Sequence, residues 1–557
     1  MAEHALLATI TLAGLKTLFS EGVEGVARDF VLLLKKLPLV NSLLSAILDG
    51  EVADAMKLMI NKDDEGGSEK SPDLIPIPEK GVAPENVIDI LNKLKGTENA
   101  AEEGKAFAYT YTTKTDMQDF AKSLGKAYEL FSEDSHSNKG DHEAMLNTVW
   151  DLFMHSNGLN PMMYPSLRRF ETEIVSMCLW MVNGNSDAAG SLTSGGTESI
   201  LMAVKSYRDL ARDQKPYIKQ PNMVCAHTIH PAFEKAAHYF DVEIRHVGMT
   251  SDMRMDVEQA RQAMDRNTIL IIGSAPQYCH GVIDPIEALS DLASKNGVPL
   301  HVDACFGGFM LPWLERIGSN MPLWDFRVPG ETSISADIHK YGYSSKGASV
   351  ILYSSSAFRK YQYFAYAQWP GGLFGSPSLA GSRPGGMIAA AWAALVGMGQ
   401  SGYMDIARQL RETTSKLCDG VEKIEGVRLV TTPDMTCLSI MSDSASPSPV
   451  SILAVADVME GRSGWKMERQ QLPDSLHLSI LPQHARTCDL FIKDLEYSVE
   501  YVRAHPETAN QGTTGVYGMV AKVPDKTIID SFIVKFFGSI FSQTSGPTII
   551  DEFGDTK

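Results

Sequence analysis

Three things are scarce in this chain of 557 residues. Cysteine is one: seven are scattered through the sequence, with no CxxC or Cys/His spacing that suits zinc, and the odd number does not suit a disulfide framework. A reducing compartment is the simplest expectation, and no metal is expected. Positive charge is the second. Lysines and arginines number 50 against 68 acidic residues, a formal charge of −18. Such a surface repels nucleic acid, so none is expected as a partner. Long apolar runs are the third. HALLATITLAGLKTLF (4–19) contains Lys16 and falls short of the ~20 apolar residues a spanning helix needs. It also lacks the basic start and cleavage site of a secretory signal. RDFVLLLKKLPLVNSLLSAIL (28–48) is amphipathic with a mid-run proline. It reads first as helical packing surface, and second as a peripheral membrane contact.

The rest is ordinary for a globular protein, with 44% hydrophobic and 21% charged residues. The length suggests two or three domains. NKDDEGGSEKSPD (61–73) reads as a linker, and helical patterns run on to about Trp150. Strands and helices then alternate. NMVCAHT (222–228), NTILIIGSA (267–275), GVPLHVDACFGG (297–308), TSISADI (332–338) and ASVILYS (348–354) read as strands, with a helix over 285–296. This pattern predicts an α/β domain around a largely parallel sheet, where ligands collect at the carboxyl ends of strands. After Gly402, strand-like VRLVTT and SLHLSIL mix with helical segments. The expected division is 1–105 as N-terminal helical segment and linker, 106–401 as the large cofactor domain with a leading arm, and 402–557 as a small α+β domain and tail.

Four stretches in the large domain carry chemistry. Ser194-Gly195-Gly196-Thr197 stands directly before an amphipathic helix bearing Ile200, Leu201, Val204, Tyr207 and Leu210. Glycines admit a ligand close to the backbone, and a helix start offers unpaired N–H donors. The alternative is a Thr197 N-cap with Glu198 in the first turn. Asp303 ends an apolar strand, where a carboxylate needs a cation or donor. A protonated pyridine nitrogen is one such partner, and backbone N–H groups are the alternative. His230, before Pro231, could stack on a flat ring or cap a helix. Lys340 follows a strand, where partial burial frees an amine to form an imine; the alternative is a lysine whose tip reaches water. Together the glycine turn, carboxylate, imidazole and lysine are what pyridoxal 5'-phosphate requires.

At these residues the sequence resembles a known family. TSGGTESILMAVKSYRDLAR, HPAFEKAAHYF, GSAPQYCHGVIDPIEALSDLA, HVDACFGGF, SADIHKYGYSSKG and SPSLAGSRPGG are similar to the sphingosine-1-phosphate lyases, and the similarity runs from about Asn157 to GRSGWKMERQQLPDSLHLSI. The resemblance implies a fold-type I pyridoxal-phosphate enzyme, transferase-like and related to the group II decarboxylases. It further implies that Lys340 forms the Schiff base with His339 beside it, that Asp303 pairs with the pyridine nitrogen, and that His230 stacks on the ring. By the same resemblance Ser194, Gly195, Gly196 and Thr197 hold the cofactor phosphate. Lys346, Asn157 and Asn160 lie toward the substrate phosphate, and Tyr278 lines the substrate site. Gly375 and Ser376 would lie near the partner's active site in a homodimer.

Two departures stand out. The family's N-x-LHP segment reads NGLNP here, so Asn160 replaces a histidine. Asparagine donates a hydrogen bond but carries no charge. An expected SGxxY tyrosine is missing from SEDSHSNKGD (132–141).

The implied activity is cleavage of a phosphorylated sphingoid base to a long-chain aldehyde and phosphoethanolamine. An amino-acid decarboxylase on the same cofactor, and a non-catalytic lipid-phosphate-binding homologue, stay open as alternatives. The implied location is the cytoplasm, peripheral to the cytosolic face of the endoplasmic reticulum.

Overall fold

A computed structural model describes residues 142–161, 163–510 and 526–542. The amphipathic 28–48 stretch, the 61–73 linker and the 132–141 segment lie outside the described residues, as does the tail after 542.

A seven-stranded sheet forms the centre of the large domain. Its strands are β1 (Ala189–Thr193), β2 (Asn222–Ala226), β3 (Glu243–Val247), β4 (Thr268–Ser274), β5 (Leu300–Asp303), β6 (Glu331–Ala336) and β7 (Ser349–Tyr353). Their order is β1-β7-β6-β5-β4-β2-β3. All run parallel except β7, which lies antiparallel between β1 and β6. Strand β4, TILIIGS, is buried at every position, as expected of a strand covered on both faces. Strand β3, EIRHV, is mostly exposed or half-buried and forms the edge.

Crossover helices cover the sheet. The helix Gly196–Gln214 buries Ile200, Leu201, Val204 and Tyr207 against Met223, Leu270, Ile351 and Tyr353. The helix Ile286–Asn296 ends at Gly297, whose φ of 61° is the left-handed conformation that glycine adopts without Cβ strain.

An exposed hairpin, β8 (Phe364–Tyr366) and β9 (Phe374–Ser376), precedes the long helix Gly385–Val421. That helix is interrupted at Gly399 (φ 57°, ψ 175°). Beyond it, β10 (Val427–Leu429), β11 (Cys437–Ser442), β12 (Glu468–Gln470) and β13 (Ser475–Ser479) form an antiparallel sheet in the order β10-β11-β13-β12. The helices Ile452–Ser463 and His484–Ala504 accompany it. A last helix, Lys526–Ile540, belongs to a different compact unit from the two sheets. Among the described residues, no helix is long and apolar enough to cross a membrane.

Candidate active site

The parallel strands deliver their carboxyl ends to one edge of the sheet. Asp303 ends β5 and pairs across the ladder with Ser335, the next-to-last residue of β6. The Lys340 turn leaves β6 immediately afterwards, so the acid and the lysine emerge from neighbouring strands.

Asp303 is buried, and its Oδ1 accepts from the Cys305 N–H (3.0 Å) and the Ser335 hydroxyl (3.1 Å). Among the described residues both bonds fall on Oδ1, which leaves Oδ2 as an acceptor. A second network lies behind it. His301 Nδ1 meets the Ser333 hydroxyl (2.8 Å) and its Nε2 the Ser335 hydroxyl (3.2 Å). Burial pushes the His301 pKa down to about 4, so the ring is neutral.

Lys340 has a side chain 18% exposed, and its Nζ lies 2.9 Å from Asp337 Oδ2. It also stands 5.8 Å from the centre of the Phe306 ring. The turn that carries it is clamped on three sides. Tyr341 Oη donates to the Thr436 and Ile480 carbonyls, Tyr403 Oη donates to the Gly342 carbonyl, and His142 Nε2 meets the Tyr343 carbonyl. Tyr343 itself has φ 55°, a costly value for an aromatic residue, held by its surroundings. His339 points Nδ1 at the Ala348 carbonyl (2.7 Å), and burial lowers its pKa against the pull of Asp337.

His230 Nδ1 accepts from the Ala232 N–H (3.1 Å), so one nitrogen caps the helix Ala232–Phe240. Its pKa is lowered, first by burial, with Asp303 and Asp337 opposing and Lys340 reinforcing. Cys305 senses Asp303, Asp337 and Lys340 together. The imidazole, both carboxylates and the lysine therefore lie close enough to act on one another's charge. His230 and Lys346 are exposed to solvent yet shifted by burial, which is the signature of groups on the wall of an open concavity. Lys346 Nζ donates to the His339 carbonyl (3.3 Å), and its pKa is pushed down to about 8, chiefly by burial and then by Lys340.

The glycine turn lies against His339 and Asp337. Gly195 (φ 153°) is the N-cap residue of the helix, with no side-chain cap, so Thr197 does not cap it. A Cβ on Gly195 would meet only His339 Cε1, at 3.7 Å, so the space over the turn is open. The Ser194 hydroxyl and N–H both donate to Glu198 Oε2 (2.5 and 2.7 Å), whose Oε1 accepts from the Leu379 N–H. Ser194 is thereby committed to fixing the turn.

Other expected residues fall at mixed places. Tyr278 is half-buried beside Phe306, with ring centres 5.5 Å apart. Asn157 is a clamp: its Oδ1 accepts from the Leu159 and Arg383 N–H groups and its Nδ2 donates to Ser382. Asn160 is exposed. Gly375 and Ser376 sit in the exposed hairpin, with the Ser376 hydroxyl donating to the Ser378 and Ala380 carbonyls.

Sequence reasoning missed two residues. Asp337 was legible in principle: a carboxylate after an apolar strand needs a cation, and Lys340 is one helical turn away. His477, on β13, stacks on Tyr278, and no local signal links positions 200 residues apart.

The arrangement is that of a pyridoxal-dependent enzyme. Residues 135–441 match the pyridoxal-dependent decarboxylase conserved domain. Glutamate decarboxylase of Lactobacillus brevis, at 18% identity and a TM-score of 0.62, shares the fold over 78% of this chain and 96% of its own. Within that class the chain belongs to the sphingosine-1-phosphate lyase family. It is 41% identical to the sphingosine-1-phosphate lyase of Oryza sativa, over 71% of this chain and 73% of the relative. It is 38% identical to sphingosine-1-phosphate lyase 1 of Rattus norvegicus, over 84% and 77% respectively. The solved structure of a Burkholderia pseudomallei sphingosine-1-phosphate lyase matches at 36% identity with a TM-score of 0.69, covering 83% of this chain and 99% of that one. The cofactor is pyridoxal phosphate. The residues present fit it: open space over a bare glycine turn, a fixed carboxylate with a spare oxygen, a partly buried lysine and an imidazole on the wall.

Proposed function

We propose that this chain cleaves phosphorylated sphingoid bases between C2 and C3, releasing a long-chain aldehyde and phosphoethanolamine. The observation that supports the reading is the pair of lysines on one turn, Lys340 against Asp337 and Lys346 against the His339 carbonyl. In this reading Lys340 would serve the cofactor and Lys346 would meet the substrate's anion.

When bound, pyridoxal phosphate supplies an aldehyde for amines and an electron-withdrawing ring that accepts the pair from the broken bond. Lys340 would hold it covalently, Asp303 through a proton on the ring nitrogen, His230 against the ring face, and Gly195, Gly196 and Thr197 at the phosphate. Asp303 is an effective proton holder because two donors fix it and burial keeps water from competing. Lys346 and Asn160 are oriented toward the substrate phosphate in this reading, with Asn157 bracing the loop that bears Asn160. Tyr278 walls the substrate site. The proton on the substrate's C3 hydroxyl would be taken by the Lys340 amine or by a neighbouring His or Tyr.

The active form would be a homodimer. The β8–β9 hairpin exposes Phe364, Tyr366, Trp369 and Leu373, an apolar surface that a second copy would cover and that would bring Gly375 and Ser376 to the partner's site. The location proposed is the cytoplasm, peripheral to the cytosolic face of the endoplasmic reticulum.

Incubation of the purified protein with sphinganine phosphate tests the activity. Release of fatty aldehyde is expected. Absence of aldehyde, with carbon dioxide released from an amino-acid panel, would favour the decarboxylase that the uncharged Asn160 keeps in view.

A further inference from the structure

The residue after β6 is an acid almost sealed from water. Asp337 is 2% exposed, and its Oδ2 lies 2.9 Å from Lys340 Nζ and 3.7 Å from His339 Nε2. It is wedged beneath the first residue of the Gly196–Gln214 helix. A Cβ on Gly196 would come 2.8 Å from both carboxylate oxygens and 3.0 Å from Cys305 Sγ. Burial alone would raise the Asp337 pKa, yet the Lys340 and His339 charges hold it below the ordinary carboxylate value. The groups around it are His339 and Lys340 on its own turn, Cys305 from the end of β5 and Ser349 from β7. His230 and Lys346 lie within electrostatic reach of both Asp337 and Lys340.

A buried carboxylate next to a turn that takes a phosphate is tolerable only while a cation matches it. Lys340 is the cation within bonding distance. A lysine bonded through its nitrogen to a cofactor no longer offers that cation in the same form, so Asp337 and the cofactor draw on one nitrogen.

We propose that Asp337 is the positioning residue of Lys340. It holds the amine as an ammonium at the glycine turn whenever that nitrogen is not bonded to the cofactor, and so sets how much neutral amine is available. It also stabilises the ammonium that Lys340 becomes when it takes a proton. This rests on the reading of Lys340 as the cofactor lysine.

The test labels the cofactor-free full chain with limiting acetic anhydride at several pH values and reads each lysine by peptide mass spectrometry, normalised to exposed lysines. Asp337→Asn should raise acetylation of Lys340 about fivefold or more near pH ~8, with the two profiles converging where both amines are neutral. Superimposable profiles overturn the proposal. A second measurement covers a variant that fails to fold. Lys340→Met strands the Asp337 carboxylate, whose folded pKa then rises above its unfolded value. The melting-temperature deficit against wild type should be larger near pH ~7 than near pH ~5, and a deficit independent of pH overturns the proposal. Neither readout uses the cofactor. A Lys340→Ala protein that kept its cofactor absorbance would sink the proposed function instead and leave this ion pair standing.

Discussion

The Tyr278 ring lies face to face with the His477 imidazole, with centres 4.0 Å apart and planes 26° from parallel. One residue follows β4 of the large sheet, and the other stands on β13 of the small one. The same imidazole lies 6.1 Å from the Phe306 ring, which in turn stands beside Lys340. The antiparallel sheet therefore reaches the ring beside Lys340, and Tyr278 is held by a residue that is fully buried. His477→Ala should release that ring. Catalytic efficiency on sphinganine phosphate is expected to fall about tenfold, with cofactor absorbance retained, in steady-state assays.

Burial pushes the His477 pKa down to about 3. The ring is neutral when folded and binds a proton near pH 6.5 when unfolded, so the unfolded state takes up protons first as pH falls. Stability is then lost progressively below about pH 6.5. His477→Gln should reduce the slope of melting temperature against pH between about 6.5 and 4, as read by calorimetry, even if it lowers stability at neutral pH.

Lys346 loses its charge near pH 8 by the burial and Lys340 repulsion described above. An anion held there is bound below that pH and released above it. KM for sphinganine phosphate should climb on the alkaline side of about pH 8. Lys346→Arg should remove that limb, because a guanidinium stays charged, and Lys346→Met should raise KM at least ~10-fold below about pH 8, with the difference from wild type shrinking above it.

Asp303→Asn removes the charge that would keep a ring nitrogen protonated while preserving shape. A shift of ~3 pKa units corresponds to ~4 kcal/mol, so kcat should fall about a thousandfold. Equilibrium dialysis should still find cofactor bound, since Lys340 and the glycine turn are untouched.

Gly196→Ala forces a methyl group into the Asp337 carboxylate and the Cys305 thiol. Neither neighbour has room to retreat, as both are buried. Cofactor affinity should drop at least ~10-fold in fluorescence titrations, together with a lower melting temperature.

The sequence made the central strands legible where burial on both faces writes a nearly continuous apolar run, as in β4 and β7. It hid β1 and β3. AGSLT is short and small, and EIRHV is a polar edge whose pairing depends on β2. Asp303, His339 and Lys340 could be read because each sits where a strand ends. The ion pair of Lys340 with Asp337 needed only the same reasoning applied once more. The stacking of His477 could not be read, because it depends on how two sheets pack. Asn157 and Ser194 carry polar side chains in the expected segments, but the structure binds them to the chain itself.

The central claim is that Lys340 is the residue that carries the cofactor. Borohydride reduction of the cofactor-loaded protein, followed by peptide mass mapping, tests it most directly. A pyridoxyl group is expected on Lys340 in wild type and on no lysine in Lys340→Ala. A pyridoxyl group on Lys346 or elsewhere, with Lys340 unmodified, would contradict it.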